Sequence, residues 1–335
     1  MSNLIKILSI DGGGIRGIIP GTVLVALEEK LKKKAGNPNL KIGDCFDFIV
    51  GTSTGGILTS ALLCPESLGS STPKFSAKEA VDLYLTRGEA IFDISLWQKA
   101  RSGKGVLDEK FDNAELKDAL NDYFGDTRLS QLIKPCLLTS YDIRNRRTMF
   151  FNQMDAKKNL FDDFLLRDIS YSTAAAPTYF ECSQIKSMTN IPYTLIDGGV
   201  FANNPTLCGY AEVRNKFDNH PTAKDMVILS LGTGYSQKPY YYQEAKDWGL
   251  VEWVRPILDI MMSGVSETVD YQLRQIYDAV ELPEQYTRIN APLVFASSQM
   301  DNASLANLQN LQQDGAKMVK DFDKQLNNFV NLCDF

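Results

Sequence analysis

Along the first two thirds of the chain, short apolar runs end repeatedly in glycine. Residues 4–10 form a β-rich apolar run that stops at Asp11 and gives way to Gly12, Gly13 and Gly14. Residues 23–34 then carry apolar positions at helical spacing and turn basic toward their end, as the helix dipole favours. The unit repeats at once: residues 46–50 predict a strand, 51–56 a turn and 57–64 a buried helix. A third run, 136–140, leads through a polar turn to 148–152. Two more, 193–196 and 226–231, end in Asp-Gly-Gly and Gly-Thr-Gly. From about residue 245 the spacing becomes helical, with Pro256 expected at a kink or helix start, and 301–329 predicts one final helix. Residues 66–78 and 101–105 read as loops.

Strands separated by helical stretches imply an α/β fold, a central mostly parallel sheet with helices on both faces and a helical C-terminal part. In such sheets, sites form beyond the strand C-termini. The glycine turns at 12–17, 51–56 and 198–199 are therefore expected to converge on one edge. With no repeat and no long linker, residues 1–335 are expected to form a single domain. Its motif-bearing core covers about 4–290 and its helical extension about 291–335.

Composition narrows the chemistry. A net charge of −6 disfavours nucleic acid as a partner. Six cysteines without a CxxC pair, together with a single histidine, leave no zinc-ligand spacing, so no metal is expected. Thiols scattered within apolar runs fit a reducing compartment. The N-terminal apolar run is too short for a signal-peptide core and no 18-residue apolar span occurs, so a cytoplasmic protein with at most peripheral membrane contact is expected.

Two motifs carry the candidate chemistry. Gly51-Thr52-Ser53-Thr54-Gly55 fits GxSxG, in which a serine sits on a sharp strand-to-helix turn with its hydroxyl at the helix N-terminus. By chance alone the pattern is common; the strand before it and helix after it are the context that makes Ser53 a candidate nucleophile. Gly12-Gly13-Gly14-Ile15-Arg16-Gly17 satisfies GxGxxG, which raises a dinucleotide-binding module as a rival. No acidic residue closes a second strand about twenty residues on, which counts against it. The other reading is an oxyanion hole of successive amides, with Arg16 adding charge or bracing the loop.

A triad would have to use His220, which lies in a polar turn before a strand, at the edge opposite the glycine turns. Asp197 is the better base: it ends an apolar strand and precedes Gly198 and Gly199, which permit close approach. Asp11 and Asp44 are its rivals, although Asp11 fits better as a tether for its own loop.

In order, DGGGIRGIIPG, GTSTGG and DGGVFANNP resemble the motifs of the patatin-like phospholipases, and the likeness extends to STAAAPTYF, ILSLGTG and AKDWGLVEWV. That resemblance implies a three-layer patatin-like fold and a lipid acyl hydrolase with a Ser-Asp dyad: Ser53 as nucleophile, Asp197 as base, and Gly12, Gly13, Gly14 and Arg16 as the oxyanion loop. It further implies a phospholipid or galactolipid substrate at a membrane surface and no cofactor. A transacylase using the same dyad and an effector switched on by a small regulatory ligand are the alternatives. Two weaker features stand apart: the basic cluster Arg144, Arg146 and Arg147, read as a solvated turn or an anion site, and Tyr240, Tyr241 and Tyr242, read as surface packing or an interfacial patch.

Overall fold

The computed structural model describes residues 4–91 and 113–333. Residues 101–105, expected as a loop, lie outside the described residues. Among those described, eight strands form one sheet: β1 (Ile5–Ile10), β2 (Phe48–Thr52), β3 (Cys136–Asp142), β4 (Arg147–Asn152), β5 (Ser183–Lys186), β6 (Pro192–Asp197), β7 (Met226–Leu231) and β8 (Tyr286–Ile289). Their order is β5-β6-β3-β2-β1-β7-β8, with β4 on the second edge of β3. From β3 to β8 the main path is parallel; β4, β5 and β6 pair antiparallel.

Period-2 alternation covers both faces. In β7, Val227, Leu229 and Leu231 join the larger apolar cluster, while Met226 and Ile228 join the smaller one on the other side. Packed over the larger cluster are α1 (Ile18–Ala35), α2 (Thr54–Leu63), α3 (Ala77–Ile91), α4 (Asn113–Phe124) and α5 (Leu166–Ala174). On the opposite face lie α6 (Thr206–Lys216), through Val213, and the later part of α7 (Leu250–Ala279), through Leu273 and Tyr277.

Several boundaries depart from the sequence expectation. Helix α1 starts at Ile18 rather than at 23, because Pro20 falls in its first turn, where a missing N–H costs nothing. Helix α7 runs through Pro256 for 30 residues. The single final helix is instead two, α8 (Leu305–Asp321) and α9 (Asp323–Leu332), broken at Phe322, whose backbone sits at φ −105°, ψ 18°. Strands β5 and β8 were not foreseen; each is four residues long, too short for alternation to register.

The register of β3 fixes the site. Up to Thr139 its inner edge pairs with β2, ending at Thr52↔Thr139; from Ser140 the same edge pairs with β6, starting at Ser140↔Asp197. Strands β2 and β6 thus run head-on along one edge and their C-terminal ends meet. The expected convergence of glycine turns holds, but for Asp197 it arises through an antiparallel strand rather than a parallel one.

Candidate active site

Ser53 is the residue between β2 and α2, with φ 55° and ψ −124°. A positive φ is unfavourable for any residue with a side chain, so surrounding contacts must hold it. They do. The Ser53 N–H donates to Thr173 Oγ1 at 2.9 Å, and Thr173 Oγ1 donates in turn to the Thr139 carbonyl at 2.6 Å. The flanking glycines are sterically required: a Cβ on Gly51 would lie 2.2 Å from the Gly55 carbonyl oxygen, and one on Gly55 would lie 2.1 Å from that of Ile10. Strand, elbow and helix close on one another with no room for a side chain.

Asp197 reaches the same point from β6. Its N–H donates to the Ala175 carbonyl at 3.0 Å, and its Oδ1 accepts the Gly199 N–H at 2.7 Å. Burial pushes its carboxyl up to about 7, against the opposing effect of hydrogen bonds from the Ser53 side chain and the Gly199 amide. Gly198 lets the turn lie against β3, since a Cβ there would meet Thr139 Oγ1 at 2.2 Å. Hydroxyl and carboxylate are therefore neighbours, both buried, at the wall of one pocket.

The glycine loop divides by role. The Gly12 amide is already given to the Asn203 carbonyl at 3.0 Å, so Gly12 is not a free donor as expected. Its place is steric, because a Cβ would stand 2.5 Å from Asn203 Oδ1 and 3.2 Å from Ser53 Cβ. The amides of Gly13 and Gly14 have no hydrogen-bond partner among the described residues, and Gly14 lines the pocket. The Thr54 amide, in the first turn of α2, likewise has no partner there and was not foreseen, although first-turn helix amides are unpaired by construction. Arg16 braces rather than faces the pocket: its guanidinium donates to the carbonyls of Gly13 at 3.4 Å and Gly234 at 3.3 Å.

Other candidates fall elsewhere. His220 is exposed in the turn between α6 and β7, its ring near the Arg214 carbonyl. Asp44 caps a short helix by accepting the Lys41 N–H at 2.9 Å. Asp11 forms a buried, two-pronged ion pair with Arg288 of β8 at 2.8 and 2.5 Å, tethering the base of the glycine loop. Arg288 carried no signal in the sequence, since it sits in an edge strand that was itself missed. Arg144 and Arg146 sit in the exposed hairpin turn between β3 and β4, where Asp142 accepts the Arg144 and Asn145 amides, and Arg147, also exposed, opens β4.

The wall of the pocket is mostly apolar, with Ser53, Asp197 and Gly199 among aliphatic and aromatic side chains such as Ile57, Leu83 and Phe180. That lining fits a hydrocarbon chain placed against a serine hydroxyl.

Residues 8–207 match the family model described as patatin-like phospholipase. Over 98% of this chain and 88% of the relative, the sequence is 34% identical to Patatin-like protein 2 of Oryza sativa subsp. indica. It is 35% identical to Patatin-like protein 2 of Arabidopsis thaliana, over 95% of this chain and 83% of that one. A Solanum tuberosum relative named Probable inactive patatin-3-Kuras 1 is 32% identical over 96% of this chain and 87% of its own. The chain belongs to the patatin-like phospholipase family.

Proposed function

We propose that this patatin-like phospholipase family member hydrolyses fatty acyl esters of membrane lipids through an acyl-enzyme on Ser53, with Asp197 as its general base. The observation that carries the reading is the meeting of β2 and β6 end to end, which sets a buried carboxyl, shifted to about 7, beside the elbow serine. A base is most effective when its pKa lies near working pH, and an ordinary carboxylate is too weak.

Asp197 takes the Ser53 proton as Oγ attacks the ester carbonyl carbon. The carbonyl oxygen gains the negative charge, and the Gly13, Gly14 and Thr54 amides are the donors available to it. Collapse breaks the ester C–O bond, and the departing alcohol takes the proton from Asp197. Water then gives a proton to Asp197 and attacks the acyl carbon; collapse returns the proton to Ser53 and frees the fatty acid. Every proton is accounted for without imidazole. No helix among the described residues is long and apolar enough to cross a membrane, and the lipid is taken from a bilayer surface by peripheral contact.

The test is incubation of wild type and Ser53→Ala with a mixed phospholipid and galactolipid extract, products read by mass spectrometry. Free fatty acid and lysolipid from wild type alone support the reading. Acyl transfer to added glycerol, with no free acid, would make the protein a transacylase instead, and equal release by Ser53→Ala would overturn the role of Ser53.

A further inference from the structure

The pocket is closed on one side and open on another. Leu83, Ile91 and Leu116, from α3 and α4, are buried, whereas α7 contributes Leu258, Met261 and Met262. Of the described lining residues, Met261 alone is exposed, at 46%. The mouth therefore opens beside α7.

This helix is inverted along its length. Its later part buries Leu273 and Tyr277 against the sheet, as an amphipathic helix should. Its first part turns apolar side chains to solvent: Leu250, Trp253, Ile257, Ile260 and Met261 are all exposed, Leu250 at 91%. Their spacing of three, four and three residues puts Leu250, Trp253, Ile257 and Ile260 on a single face, a stripe about 15 Å long at 1.5 Å rise per residue. Tyr240, Trp248 and Trp253 continue it as an edge-to-face cluster, with ring centroids 5.5 and 5.0 Å apart, and the Tyr240 hydroxyl donates to Asp259 at 3.1 Å. Contiguous apolar surface of this kind on a folded chain marks an interaction site.

We infer that this stripe is the face by which the protein lies on a phospholipid bilayer, holding the pocket mouth against the lipid it takes up. The inference rests on the lipid hydrolase reading for the identity of its partner. Two observations select a bilayer. The stripe is continuous with the pocket through Met261, so an acyl chain passes from bilayer to pocket without crossing water. Its apolar face and its aromatic cluster with a polar rim are also the features of helices that lie in the interface plane. Charge predicts the lipid: residues 238–261 contain three basic and four acidic side chains, giving no excess positive charge to seek anionic headgroups. Zwitterionic phosphatidylcholine is sufficient.

The experiment separates docking from catalysis. Full-length Ser53→Ala is floated with phosphatidylcholine vesicles, with and without phosphatidylglycerol, alone and combined with Leu250→Glu and Ile257→Gln. The docking account expects Ser53→Ala to float with pure phosphatidylcholine, and the added pair to lower the bound fraction at least about tenfold, the order expected for withdrawing two such side chains from an apolar medium. With Ser53 restored, the same pair is expected to hydrolyse a water-soluble p-nitrophenyl ester at the wild-type rate and vesicle lipid far more slowly. Failure to float, binding only with anionic lipid, or unchanged binding in the pair would overturn the docking face. So would a vesicle-free dimer that the pair dissociates, since the stripe would then be a self-interface. Absence of ester hydrolysis by wild type, with flotation intact, would instead overturn the hydrolase reading and leave the docking face standing.

Discussion

At Asp197 catalysis and stability pull in opposite directions. A carboxyl held at about 7 in the folded state, against 3.8 as its ordinary value, keeps a proton that the unfolded chain releases. Between those two values the native state binds more protons, so this group's contribution to stability falls as pH rises and levels off above about 7. Asp197→Asn should therefore be more stable than wild type at about pH 8, by on the order of a few kcal/mol, with the gap closing toward pH 4. Urea unfolding at the two pH values checks this; an equal gap at both would mean that the carboxyl is not raised. The same substitution, like Ser53→Ala, should lower ester hydrolysis by about 10³ or more, while His220→Ala leaves it unchanged. Ser53 and Asp197 were legible in the sequence because each stands at the end of an apolar run beside glycine. The donors were less so. Whether the Gly12 amide is free depends on the Asn203 carbonyl, almost two hundred residues away, and no local pattern reports it.

Elements hold these residues in place by close approach and buried pairing. Gly55→Ala would set a Cβ 2.1 Å from the Ile10 carbonyl oxygen and 2.8 Å from that of Asp11. Both neighbours are backbone and cannot rotate away, so the variant should lose about 1–3 kcal/mol or more of stability, seen as a lower denaturant midpoint with activity falling in parallel. Arg288→Met leaves the Asp11 carboxylate buried without its partner and should cost about 3–5 kcal/mol. Adding Asp11→Asn should recover part of that loss; no recovery would mean that Arg288 acts through packing alone. The βα units were visible in the sequence, since apolar runs, glycine turns and amphipathic spacing coincide at residues 4–35 and 46–64. The direction of β6 was not, because one edge of β3 takes β2 parallel and β6 antiparallel, and the apolar run 193–196 reads the same in either direction.

For the whole molecule, a two-faced sheet brings the ends of β1, β2 and β6 to one pocket and leaves the first part of α7 at its mouth. The fold class and the covered sheet could be read from periodicity and from the patatin-like motifs. The solvent-facing stripe could not, since Leu250, Trp253, Ile257 and Ile260 have the same spacing as a buried helix face, and only the packing of α7 beyond the sheet turns them outward. The central claim is that a carboxyl, not an imidazole, takes the serine proton. It is tested most directly by the pH dependence of kcat/KM for a soluble p-nitrophenyl ester, compared between wild type and His220→Ala. Both should give one ascending limb with its midpoint near 7 that then stays level, because activity follows the ionised Asp197. A wild-type limb that disappears or moves when His220 is removed, or a rate flat across neutral pH in both, would contradict it.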